Sequence, residues 1–178
     1  ITVDRQECVN PHPHRRHLAY DIERVRGLLP NERPIIVFAF PPCTHVAVSG
    51  SKHFRTKGLP KLIEALTILN HCKEICEGSG APWMIENPVS VFSSYWRPPD
   101  DYFNPYDYLS FEPDDNYTKK TCLWIGGGFS VPDKDRPWLM DNPPPPPDNR
   151  IHRAPPSPNR GDFRSVTPMG FARAVFQA

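Results

Sequence analysis

The chain has 178 residues, of which 24 are proline and 10 glycine, and its proline usage is more than twice the ordinary level of about 5%. Proline at that density excludes a coiled coil or a mainly helical bundle, because it fixes φ and donates no N–H; glycine without a three-residue period excludes collagen. With 21 Lys and Arg against 20 Asp and Glu, the net charge is +1, which argues against a protein that coats nucleic acid non-specifically, so any such contact has to be local.

The length suits one domain with a real core. No apolar run approaches the length of a membrane span and no signal peptide is read at the start, so no membrane partner is expected. Cys8, Cys43, Cys72, Cys76 and Cys122 are odd in number and irregular in spacing. That speaks against a disulfide framework and for a reducing, cytoplasmic compartment.

Ile1 opens an apolar run that ends at Asp4 and reads as a strand. Residues 5–17, with Pro11, Pro13 and the cluster His12, His14, Arg15, Arg16 and His17, read as a loop. Ile22, Val25, Leu28 and Leu29 have helical spacing, stopped by Pro30. Residues 35–40 are continuously apolar between Pro34 and Pro41-Pro42, the pattern of a strand buried on both faces in a parallel sheet. Pro60 suits the first position of a helix whose apolar stripe includes Leu62, Leu66, Leu69, Cys72 and Cys76 and ends near Gly78. Residues 83–86 predict a second buried strand cut by Asn87-Pro88, and residues 121–125 a third, stopped by Gly126 to Gly128. Residues 129–163 carry the five prolines from Pro143 to Pro147 and read as loop or polyproline II; 167–177 read as a short helix. Strands alternating with helices predict an α/β fold with a mostly parallel sheet.

In open α/β sheets ligands bind beyond the carboxyl ends of the strands. Two strands here deliver reactive groups at such ends: Cys43 after Pro41-Pro42, and Glu86 followed by Asn87-Pro88. Alone, a cysteine after a strand reads as a small buried hydrophobe and Glu-Asn-Pro as a turn. Together at two strand ends they read as a nucleophile and a proton donor. After Cys43, the stretch 49–57 combines Ser49 and Gly50 with Lys52, Arg55 and Lys57, residues suited to holding phosphates; a solvated basic loop is the plainer interpretation. His71, Cys72 and Cys76 share a helix but fall on its apolar stripe, and no second ligand pair at zinc spacing accompanies them, so no metal site is expected.

Pro41-Pro42-Cys43 and Glu86-Asn87 resemble the two signature motifs of the DNA cytosine-5 methyltransferases, and the fuller Pro-Pro-Cys-Thr and Glu-Asn-Pro wording is similar to short phage-type members. Further stretches fit in order. Asp4 resembles the acidic residue that holds the ribose of S-adenosylmethionine, and Asp21-Ile22 the pair that meets its adenine. The segment 118–124, containing Lys119 and Lys120, resembles the basic segment around the catalytic pocket, with lysines in place of arginines. Arg164, Ser165, Val166, Thr167 and Pro168 resemble the C-terminal motif that folds back to the cofactor pocket.

The resemblance implies a Rossmann-like methyltransferase fold acting on DNA with S-adenosylmethionine as cofactor. It implies a catalytic set of Cys43, Glu86, Asn87 and Lys120, cofactor contacts from Asp4, Asp21, Ile22, Pro41 and Thr167, and nucleic-acid contacts from Ser49, Lys52, Arg55, Lys57 and Lys119. Cys43 would add to C6 of a flipped or single-stranded cytosine while Glu86 protonates N3, leaving C5 able to take the methyl group. The family opens with a strand and a Phe-x-Gly-x-Gly loop; none precedes Ile1, and Gly27 stands in another context. The expected organisation is a core over 1–128 lacking that first strand and glycine loop, a proline-rich insertion over 129–163 in place of a target-reading domain, and a returning segment over 164–178. A non-catalytic nucleic-acid- or protein-binding module on the same scaffold is the alternative, with Pro143 to Pro147 as a surface for a protein partner.

Overall fold

The longest strands form where the sequence buries its longest unbroken stretches. In the computed structural model, which describes residues 1–7, 13–14, 16–25, 33–136, 142–155, 157 and 160–178, these are β4 (Trp83–Pro88) and β6 (Thr121–Gly126). They pair antiparallel, with Glu86 opposite Leu123 and Asn87 opposite Cys122. On the other side of β4 lies β3 (Val37–Ala39), parallel to it, and on the other side of β6 lies the antiparallel β5 (Asp101–Phe103). The sheet order is therefore β3-β4-β6-β5. A separate parallel pair joins β1 (Thr2–Asp4) to β2 (His17–Ala19), the latter beginning at His17, the last residue of the stretch read from sequence as loop. The fold is mixed α/β, with parallel pairing at β1–β2 and β3–β4 and antiparallel pairing around β6.

The two faces of the larger sheet bury different clusters, as side chains alternate along a strand. Trp83, Ile85, Cys122 and Trp124 pack with Ala65, Leu69, Cys72 and Cys76 of α2 (Phe54–Gly78). Met84 and Leu123 pack on the other face with Phe103, Tyr108, Phe171 and Ala174. Phe171 belongs to α6 (Met169–Gln177) and stacks on Phe103 with ring centroids 4.0 Å apart. Gly58, at φ 73° and ψ 175°, breaks α2 near its start. The long apolar-striped part therefore begins around Pro60, where the missing N–H costs nothing.

The short α1 (Ile22–Val25) carries Ile22 against the α2 side of the core and so attaches the small sheet to the large one. Cys8, His12, Gly27 and the helical spacing at Leu28 and Leu29 lie outside the described residues. Residues 35–40 do not form a strand buried on both faces. Only Val37 to Ala39 pair, at the sheet edge, and Ile36, Phe38 and Phe40 stay 39–50% exposed. Phe38 meets Phe129 edge-on, with centroids 6.1 Å apart. Among the described residues the remaining α-helices are α3 (Phe92–Tyr95), α4 (Arg150–Arg153) and α5 (Arg160–Ser165), the last two inside and beside the proline-rich region.

That region is tied to the core at its end. Asn116 Nδ2 donates to the Pro145 carbonyl at 2.9 Å, Thr118 N–H to the Asp148 carbonyl at 2.8 Å, and Asp148 N–H to Asn116 at 3.1 Å. Arg150 pairs with Asp148 at 2.6 Å and lies over the Tyr117 ring. Among the described residues no helix is long and apolar enough to cross a membrane.

Candidate active site

The carboxyl ends of β3 and β4 lie side by side because the two strands are parallel neighbours. The chain leaves β3 through Phe40-Pro41-Pro42 into a turn in which the Cys43 carbonyl accepts from Val46 N–H at 3.1 Å and Ala47 N–H at 2.9 Å. This turn is fastened to the chain leaving β4. Val48 N–H donates to Val89 at 2.9 Å, Val91 N–H to Val46 at 3.1 Å, and Ala47 bridges Ser90 in antiparallel fashion. Asn87 adds a side-chain tie, donating from Nδ2 to the Pro41 carbonyl at 2.7 Å from a site only 1% exposed. Cys43 is half-buried and is thus held by backbone ladder and by Asn87.

Alternation along β4 sends Glu86 to the same face as Met84, the α6 side of the sheet. The carboxyl is 8% exposed, and Oε1 has no hydrogen-bond partner among the described residues. Burial pushes the Glu86 carboxyl up, and the ammonium of Lys119 opposes that shift. Lys119 is itself buried, with Nζ donating to the Val166 carbonyl at 2.8 Å. Burial pushes its ammonium down, against the charges of Glu86 and Cys43. The Cys43 thiol is pushed up by burial and by Glu86, while Lys119 and Arg164 work the other way. Cys43, Glu86, Lys119 and Arg164 therefore lie within electrostatic reach of one another as a group, drawn from the turn after β3, β4, the approach to β6, and α5.

Of the adjacent lysines, Lys119 is the one whose charge acts on Cys43 and Glu86. Lys120, expected in the catalytic set, is exposed, with Nζ 4.3 Å from the Tyr102 ring centroid. Arg164, placed by the resemblance in a cofactor motif, instead reaches Ser49 Oγ with a guanidinium N–H at 3.2 Å. Lys52 and Arg55 are exposed, whereas Lys57 turns its ammonium back onto the Thr44 carbonyl. Cys72 and Cys76 sit in the core with thiols pushed up to about 12 by burial, and Cys122 to about 11. Among the described residues no group of three or more His, Cys, Asp or Glu is placed to hold a metal.

The residues expected at the cofactor gather elsewhere in part. Asp4 ends β1 in the open, with Oδ1 accepting Gln6 N–H at 2.9 Å. Asp21 pairs with Arg5 at 2.5 Å. Arg5, Ala19, Tyr20, Asp21 and Arg24 line an open cleft of about 370 Å³ beyond the carboxyl ends of β1 and β2. Pro41 is buried below Asn87, and Thr167 is half-buried next to Val166. The chain was compared with protein-family models, curated proteins and solved structures, and none of them matches it.

Proposed function

We propose that this chain is a DNA cytosine C5 methyltransferase-like protein acting through a covalent adduct at Cys43. The observation that carries the reading is the convergence of Cys43, Glu86 and Lys119 at the ends of two parallel strands, with Glu86 buried and one of its oxygens unpartnered. A carboxyl whose protonated form is favoured by burial is suited to act as a hydrogen-bond donor and proton source for a ring nitrogen. Cys43 gives its proton to solvent water as its sulfur bonds C6, the C5–C6 π pair moves to C5, and Glu86 delivers a proton to N3. Asn87 keeps the Cys43 turn in place through Pro41, and Lys119 balances the charge left on Glu86. Asp4 and the Tyr20–Asp21 cleft would hold S-adenosylmethionine, whose sulfonium would supply the methyl group for C5 and leave as the thioether. Loss of the C5 proton and expulsion of the Cys43 thiolate restore the ring. The base reaches such a pocket only when flipped or single-stranded.

One observation favours the non-catalytic binding module: the Cys43 thiol is pushed up rather than down, so the free enzyme carries little thiolate at neutral pH. A single experiment separates the two. A single-stranded oligonucleotide containing 5-fluorocytosine is incubated with the protein and S-adenosylmethionine, and a mass shift is sought by intact-mass spectrometry. The fluorine blocks the final elimination, so a cofactor-dependent adduct is expected, absent in Cys43→Ser. No adduct with the parent protein makes the chain a binding module, and an adduct that survives Cys43→Ser removes Cys43 from its role.

A further inference from the structure

α5 carries Arg160 and Arg164 four residues apart, hence on one helical face, and Arg164 reaches the stretch that follows Cys43. Arg164 spends one N–H on Ser49 Oγ at 3.2 Å, out of the five that a guanidinium carries. Its charge acts on both Cys43 and Lys119, which places it within electrostatic reach of the pocket. Arg160 Nε is buried with no acceptor among the described residues, an expensive condition for a charged donor. Two guanidiniums on one face, one with spare donors and one with a buried N–H lacking its acceptor, beside a serine hydroxyl, form an arrangement that wants a tetrahedral oxyanion.

We propose that Arg160 and Arg164, with the Ser49 hydroxyl, form a phosphate subsite beside the Cys43 pocket, holding the phosphate of a nucleotide whose base enters that pocket. This rests on the reading of the pocket as a base site. It assigns substrate anchoring to the C-terminal segment, in addition to the basic stretch after Cys43.

Two probes distinguish the sources of the phosphate: a six-nucleotide single strand with one cytosine, and free deoxycytidine monophosphate. Each is titrated calorimetrically at several salt concentrations against the parent, Arg164→Gln, Arg160→Gln and Arg164→Lys. For a strand phosphate, the slope of log affinity against log salt becomes shallower by about 0.7 in each glutamine variant, the single-strand value per phosphate, and Arg164→Lys, which keeps the charge, retains the parent slope. For a free nucleotide phosphate, deoxycytidine monophosphate binding falls about tenfold or more in the glutamine variants, as expected for a lost charged hydrogen bond. Either result supports the subsite. Parent-like slopes and affinities in both glutamine variants overturn it, as does a parent protein that binds neither probe. Arg164→Lys with parent-like binding also shows that the segment still folds. Loss of the 5-fluorocytosine adduct in the parent, with the slope difference intact, overturns the catalytic reading and leaves the phosphate subsite standing.

Discussion

Glu86 is a carboxyl whose ionised form the fold disfavours: burial raises its pKa and the nearby Lys119 only offsets part of the rise. The folded state then holds this proton more tightly than the unfolded chain does, so the stability linked to it is full below the unfolded value of about 4.3 and is lost as pH rises through the folded value. Glu86→Gln is therefore expected to be more stable than the parent at pH 7 and indistinguishable from it below about pH 4, by urea denaturation at both pH values. A parent at least as stable as the variant at pH 7 would show that the Lys119 pairing outweighs the burial. At this scale the sequence is informative about Cys43, Glu86 and Asn87, because short motifs at strand ends name them directly. It cannot decide between Lys119 and Lys120. Neighbours in an extended segment point to opposite faces, and which of them turns inward is set by the register of the strand that follows.

Among the elements, β4 decides where the chemistry sits, and its register against β6 is locked by a turn that only glycine fits. Gly127 lies at φ 61°, and a Cβ there would stand 2.0 Å from the Ala81 carbonyl oxygen, just before β4 begins. Gly127→Ala is expected to cost about 2 kcal/mol or more, read from the denaturant midpoint, since it combines left-handed backbone strain with a backbone clash. A variant as stable as the parent would mean that this turn does not set the register. The glycine run was legible as a strand stop. The continuation of β4 through Asn87 and Pro88 was not, because proline discourages a strand assignment except at its end, which is where Pro88 falls. β2 and β5 are three residues long and owe their existence to pairing partners rather than to local pattern. The exposure of β3 is likewise a matter of neighbours: an apolar run looks the same at the edge of a sheet as in its middle.

For the whole molecule, the C-terminal segment is what completes both the core and the site. Phe171 is 1% exposed between Phe103 and Tyr108, with its helix drawn close at Gly170, whose N–H donates to the buried Asp115 at 2.7 Å. Phe171→Ala is expected to cost about 3–5 kcal/mol in a denaturant titration. It should also speed tryptic cleavage after Lys119, since Lys119 is covered through its bond to Val166. Unchanged cleavage at Lys119 would detach the site from α6 packing. The alternation of strand and helix made the α/β class readable, but the return of residues 164–178 to the sheet was suggested only by a family resemblance. α5 lies beside a proline-rich stretch whose composition gives no sign of a helix, so the pairing of Arg160 with Arg164 on one face carried no visible pattern.

The bridge between Ala47 and Ser90 makes the turn bearing Cys43 an extension of the sheet rather than a free loop. Moving the thiol by more than a side-chain rotation means opening ladder bonds that are continuous with β4. The amide protons of Val48 and Val91 consequently belong with the slowly exchanging interior rather than with the surface turns. The Cys43 thiol is fixed in place, and whatever meets it has to travel to it.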